Sequence, residues 1–218
     1  KEQQVAEVID LYQESIKENP ELLAVYKQLA RILILQERYE EALSLLKHAQ
    51  RQQPDDLRIL TRIGLLQLSR EDYIDGEETF RRALELIPDD PRNLYSLAMA
   101  LIGQQRNVEA LEVLGRIPED SEVYPEAVLQ RGYLYRQEGD IEQGIDILQK
   151  AIATKKQTVD IYYYLSAFLG ESGRFAAAGK VARQGIGFFP QEASLHYQLG
   201  VIYERLDDRT QALAEMTK

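Results

Sequence analysis

Apolar residues recur every three or four positions along nearly the whole chain, in stripes broken at regular intervals. Between residues 23 and 56, Tyr26, Leu29, Ala30 and Leu33 are spaced 3, 1 and 3, which gathers them on one face of a helix. A polar break follows at Gln36, Glu37 and Arg38, and then a second stripe of Tyr39, Ala42, Leu43, Leu46 and Ala49. Pro54 ends it, because proline and the residue before it disfavour continued helix. The segment reads as helix A, tight turn, helix B, with Asp55 and Asp56 placed to cap the next helix and favour its positive end.

The same grammar returns every 34 residues without insertion, from first positions at Leu23, Leu57, Pro91, Pro125, Val159 and Ala193. The eighth position of each unit is tiny: Ala30, Gly64, Ala98, Gly132, Ser166, Gly200. So is the twentieth: Ala42, Gly76, Ala110, Gly144, Ala178, Ala212. Two columns of small residues at this period predict stacked helical hairpins whose helices cross closely. The twenty-fourth position supplies a bulky plug in Leu46, Phe80, Leu114, Leu148 and Met216. The predicted fold is all-α, a right-handed superhelical solenoid of antiparallel helix hairpins in one domain spanning 1–218. Residues 5–20 are the second helix of an incomplete unit; 23–56, 57–90, 91–124, 125–158 and 159–192 are complete, and 193–218 is interrupted.

Two boundaries depart from the pattern. Gly115 and Pro118 should shorten the second helix of unit 91–124, ahead of a loop at Glu119, Asp120, Ser121 and Glu122. A hinge, a local change of curvature and a tolerated loop variation all fit that junction. After residue 154, Lys155, Lys156 and Gln157 stand without the proline that closes other units.

These residues resemble the tetratricopeptide repeat family of bacterial type, and the resemblance covers the chain. Arg131-Gly132-Tyr133-Leu134-Tyr135 with Gly139-Asp140-Ile141, and Leu199-Gly200 with Tyr203 and Ala212, carry it best. Gln67 stands where a tyrosine is usual, Arg131 where leucine is expected, and His196 in a large aromatic slot. The resemblance implies a non-catalytic scaffold that holds a peptide or partner segment in a concave groove lined by the A helices. The second, fifth, ninth and twelfth positions of helix A would face that groove, with the sixth flanking it. The first three units place Lys27, Arg31, Arg58, Arg62 and Arg92 there; the last three place Leu129, Tyr133, Tyr163, Tyr164 and Tyr197, with Tyr95 and Met99 between. Arginine forks suit carboxylates, so the expected partner is a protein or peptide with an acidic segment. The competing reading pairs Arg58 with Asp55 and Arg92 with Asp89, three residues before each. Some family members clamp chaperone-tail carboxylates; Lys27 and Arg92 fit that pattern, whereas Arg31, Arg62 and Ser96 do not, and no such clamp is expected.

Composition narrows the alternatives. The formal charge is -10, so the surface as a whole repels nucleic acid and anionic membrane. RNA-reading helical repeats carry a base-reading pair in every unit, but here the basic residues stop after the third. No apolar run reaches 18 residues, so no membrane insertion is expected, and cytoplasm and periplasm both remain open. Cysteine is absent, which excludes disulfides and thiolate metal sites. The only histidines, His48 and His196, lie on different units, too far apart to share a metal. His48 is expected facing solvent or at an inter-helix edge, and His196 in the core. Gly185-Ile186-Gly187 falls inside a helix and makes no phosphate cradle. No cofactor and no catalytic constellation are predicted. Lys1 is not an initiator methionine and Lys218 falls inside an expected helix, so both ends read as cuts in a longer protein. Self-association through end-to-end stacking, a recruiting arm of a larger enzyme, and an envelope or export assembly are the alternative roles.

Overall fold

A computed structural model describes residues 2–154 and 158–217. Lys155, Lys156 and Gln157, where the closing proline is missing, lie outside the described residues. Every regular element described is an α-helix, and there are thirteen. The chain divides into two compact units, one ending at Val113 and one beginning at Leu114.

The first unit contains α1 (Glu2–Glu18), α2 (Leu23–Leu35), α3 (Tyr39–Gln52), α4 (Leu57–Ser69), α5 (Tyr73–Leu86) and α6 (Pro91–Gly103). The boundary falls within α7 (Asn107–Gly115), which has 9 residues where α3 and α5 have 14. The shortening follows from Gly115 and Pro118, as expected. The second unit contains α8 (Tyr124–Gln137), α9 (Ile141–Ile152), α10 (Val159–Glu171), α11 (Phe175–Phe188), α12 (Ala193–Arg205) and α13 (Arg209–Met216).

All twelve residues of the two small columns are buried, and the structure shows what they accommodate. The eighth and twentieth positions meet across each hairpin: the Ser166 hydroxyl donates to the Ala178 carbonyl at 3.0 Å. A Cβ added at Gly144 would stand 3.0 Å from the Gly132 carbonyl oxygen. The eighth position also faces the plug, so a Cβ at Gly64 would stand 2.6 Å from the Phe80 ring and one at Gly132 3.4 Å from Leu148. Phe80, Leu114 and Leu148 are buried as expected, but Met216 is 38% exposed. It ends the eight-residue α13, whose outer side meets no further helix among the described residues. Gln67, the odd residue at a tyrosine slot, is buried because its side-chain oxygen accepts from the Thr79 hydroxyl at 2.8 Å. Arg131 is tolerated at a leucine slot beside Gly115, where a Cβ would come no closer than 4.0 Å to its guanidinium.

One turn geometry closes each hairpin. Glu37, Glu71, Gln105, Gly139, Gly173 and Asp207 follow one another at the 34-residue period, and all have φ between 59° and 83°. The Glu71 N–H donates to the Leu68 carbonyl at 3.0 Å and the Asp72 N–H to that of Gln67 at 2.9 Å. This Schellman closure satisfies carbonyls that a helix end would leave orphaned. At the other ends, Asp56, Asp90, Asp140 and Asp208 cap α4, α6, α9 and α13 by accepting backbone N–H bonds. Asp55, expected to share the capping, instead lies 3.6 Å from Arg82.

Candidate functional site: a cationic cleft between α2 and α4

Helices α2 and α4 each have 13 residues, and together they carry Lys27, Arg31, Arg58 and Arg62 with no carboxylate. Their buried faces use Tyr26, Leu29, Ala30 and Leu33 in α2, and Ile59, Leu60, Ile63 and Gly64 among others in α4. Helical periodicity therefore turns the four cations to the same outer side. They line one cleft of about 200 Å³ with Gln28 and Ile59.

The four are not equivalent. Lys27 pairs with Asp56 at 2.6 Å and donates a further hydrogen bond to the Gln53 side chain at 3.2 Å. Arg58 approaches the same carboxylate at 3.5 Å, so its acidic neighbour is Asp56 rather than the expected Asp55. The reason is local: Asp56 is the N-cap, and its oxygen already accepts from the Arg58 N–H at 2.9 Å. Burial pushes the Asp56 carboxyl upward, but the Lys27 hydrogen bond and charge, with the Ile59 and Arg58 amides, outweigh it and hold the group below its usual range. Arg31 and Arg62 are exposed, and among the described residues neither has a hydrogen bond or ion pair. Elsewhere arginines are paired, as in Arg38–Glu41, Arg70–Glu40, Arg106–Glu109 and Arg174–Glu142. Arg92 is exposed on α6 and does not line the cleft; it is engaged within the chain, as is Tyr95. Met99 is half-buried on the same helix.

The other expected residues lie on the second unit. Tyr133, Tyr164 and Tyr197 are exposed, while Leu129 and Tyr163 are half-buried. Tyr163 and Tyr164 pack edge-to-face at 5.3 Å, and Tyr164 meets Phe168 at 6.3 Å, so part of this aromatic surface is turned on itself. A hollow of about 410 Å³ between the C-terminal parts of α10 and α12 is lined by Glu171, Gln198, Ile202 and Arg205 among others, and by none of these tyrosines. Sequence reasoning missed it because its walls are mostly small residues. It also missed the apolar residues beyond Arg31 and Arg62, although Ile34 and Leu65 fall on the same helical stripe.

The histidines are structural. His48 stacks on Tyr26 at 4.4 Å at an inter-helix edge. His196 is buried, with Nδ1 2.7 Å from a Glu215 oxygen and Nε2 3.2 Å from the Pro190 carbonyl. Among the described residues no group of three or more His, Cys, Asp or Glu could hold a metal ion. No described helix is long and apolar enough to cross a membrane.

Residues 1–61 and 67–130, more than half of the chain, match the family model for the tetratricopeptide repeat (TPR). The chain belongs to the TPR family. Residues 99–217 also match the model for ChAPs (Chs5p-Arf1p-binding proteins). Among solved structures, a TPR protein from Parabacteroides merdae is similar with a TM-score of 0.68 at 18% identity, over 98% of this chain and 85% of that one. PilF of Pseudomonas aeruginosa is similar at 0.67 and 17% identity, over 88% of each chain. YrrB, described as a TPR protein with an unusual peptide-binding site, is similar at 0.61 and 20% identity, over 84% of this chain and 95% of its own. At these identities the likeness concerns the TPR fold. No curated protein matches the sequence. TPR repeats are protein-interaction modules and in general non-catalytic, and this chain is a protein–protein interaction scaffold.

Proposed function

We propose that the chain holds an acidic segment of a partner protein in the α2–α4 cleft of its first unit, with Arg31 and Arg62 as the principal anchors. The observation that carries this reading is the contrast of charge. The whole chain is -10, yet these two helices present four cations and no carboxylate. Lys27 and Arg58 already share Asp56, so Arg31 and Arg62 keep most of their capacity for an incoming carboxylate. Charge of one sign in a cleft also steers an oppositely charged partner and quickens its encounter. The family supports the choice of a protein ligand, as do the names of two similar proteins: YrrB with its peptide-binding site and the Chs5p-Arf1p-binding proteins.

The exposed aromatic face of the second unit (Tyr133, Tyr164, Tyr197) is a second, separate place for apolar partner residues. Its rings are partly engaged with one another, which makes it the weaker candidate.

The test uses a random dodecapeptide display library selected against the wild-type protein, followed by calorimetry on resynthesised binders. Selected peptides should be acidic, and Arg31→Glu/Arg62→Glu should weaken them more than about tenfold, or about 1.4 kcal/mol, without moving the melting temperature. Unchanged affinity in that variant removes the cleft as the site.

A further inference from the structure

Directly beyond Arg31 and Arg62, the same two helices change character. A second cleft of about 330 Å³ is lined by Ile34, Leu35, Tyr39, Leu65, Leu66 and Ser69, and it shares Arg31 and Arg62 with the first. Leu35 is 71% exposed and Leu65 47% exposed. Leu66 and Ile34 close the floor as buried and half-buried residues. The cations therefore occupy the N-terminal parts of α2 and α4, the apolar shelf their C-terminal parts, and the two arginines stand at the join.

We infer that the partner segment is amphipathic: an acidic residue seated on Arg31 and Arg62, and a leucine-like side chain two to four residues away seated on the Leu35–Leu65 shelf. This rests on the proposed function and names the ligand that the site selects. The spacing follows from geometry. A helix rises about 1.5 Å per residue, so Arg31 lies about 6 Å along the axis from Leu35, and Lys27 about 12 Å. An extended chain covers about 3.3 Å per residue, so a ligand lying along the cleft bridges those distances in about two to four residues. The chemistry requires both halves. Surface arginines alone hold a carboxylate weakly and lose it to salt, whereas a leucine-sized side chain removed from water contributes on the scale of its buried apolar area. The shelf beside the arginines supplies that area and shields the ion pair from water. A purely acidic segment leaves two leucines uncovered, and a purely apolar one leaves two arginines desolvated without a partner.

The experiment sequences the peptides enriched from the dodecapeptide library and measures one of them by fluorescence anisotropy. Enriched peptides should carry Asp or Glu with Leu, Ile, Met, Phe or Val two to four positions away. Leu35→Ser/Leu65→Ser, both at exposed positions and checked by melting temperature, should bind the chosen peptide about tenfold more weakly. Replacing the peptide's apolar residue with serine should cost as much on wild type and almost nothing further on the double variant. Acidic peptides with no apolar preference, or wild-type affinity in the leucine variant, overturn the inference. Arg31→Glu/Arg62→Glu still losing affinity in that case leaves the acidic-segment reading standing. Peptides indifferent to the arginines, or a library with no binder to the folded protein, remove that reading and this one with it.

Discussion

The equivalent helix faces of the two units are built from the same repeat positions and have opposite character. On the first unit, α2 and α4 present four cations and no acid. On the second, α10 carries Asp160 and Glu171, no cation, and three successive residues Tyr162, Tyr163 and Tyr164. There Arg136 from α8 is held by Glu171 at 2.7 Å, and its guanidinium lies 5.8 Å from the Phe168 ring. In the first unit two arginines have no such partner. The repeat sets which positions face outward, but it leaves their chemistry free. A scaffold of this kind separates the residues that stack units from the residues that meet ligands, so one fold can present unlike surfaces along its length.

The comparison extends to the scaffold, where the largest effect is expected. Gly64 in the first unit and Gly132 in the second share the eighth position, but a Cβ would stand 2.6 Å from Phe80 in one and 3.4 Å from Leu148 in the other. Phe80 is fully buried and cannot give way. Gly64→Ala should therefore destabilise by about 1–3 kcal/mol. Gly132→Ala should change stability by less than about 0.5 kcal/mol, since mild crowding offsets the better helix propensity. Equal losses in two melting curves would mean that the plug's size does not decide the cost.

Next comes binding. For one acidic peptide, Arg31→Glu/Arg62→Glu should lose more than about tenfold in affinity, or about 1.4 kcal/mol. Tyr164→Ser/Tyr197→Ser should lose less than about twofold. The reverse order, read by calorimetry, would move the principal site to the second unit.

The turns give a pair of opposite sign. Glu71 holds φ 63° as a non-glycine residue, and Gly139 holds φ 83° at the same repeat position. Glu71→Gly should stabilise by about 1 kcal/mol and Gly139→Ala destabilise by about the same amount. Chemical denaturation of the two variants checks both, and a matching sign would show that the left-handed turn is not the controlling strain.

The smallest effect concerns Asp56. Its folded pKa is depressed, so its stabilising contribution is present above the unfolded value and lost as pH falls through the folded one. Asp56→Asn keeps an oxygen for the α4 cap, removes the charge and flattens that acid limb of stability. It also releases Lys27 and Arg58, and should raise acidic-peptide affinity about twofold. A fall in affinity would show that Asp56 positions those cations for the ligand rather than competing for them.

Much of this molecule was legible before any coordinates. Apolar spacing and the two small columns located the helices, their turns and the close crossings, because those features depend on local periodicity and side-chain volume. The helix shortened at Gly115 followed from backbone preferences of glycine and proline. The outward stripe was also readable, and it contained Lys27, Arg31, Arg58 and Arg62. Their ranking was not. Which aspartate turns toward which cation depends on the N-cap geometry at Asp56 and on Arg82 reaching Asp55 across 27 residues of chain. The Leu35–Leu65 shelf likewise needs two helices side by side before two exposed leucines become one surface.

The sequence by itself therefore determined the period, the helical elements and the residues available to meet a partner, since each depends on spacing within about one turn of helix. Only the tertiary structure decided that two arginines stay uncompensated and stand between a charged cleft and an apolar one. Pairing and adjacency depend on distances between side chains far apart in the chain, which packing alone sets.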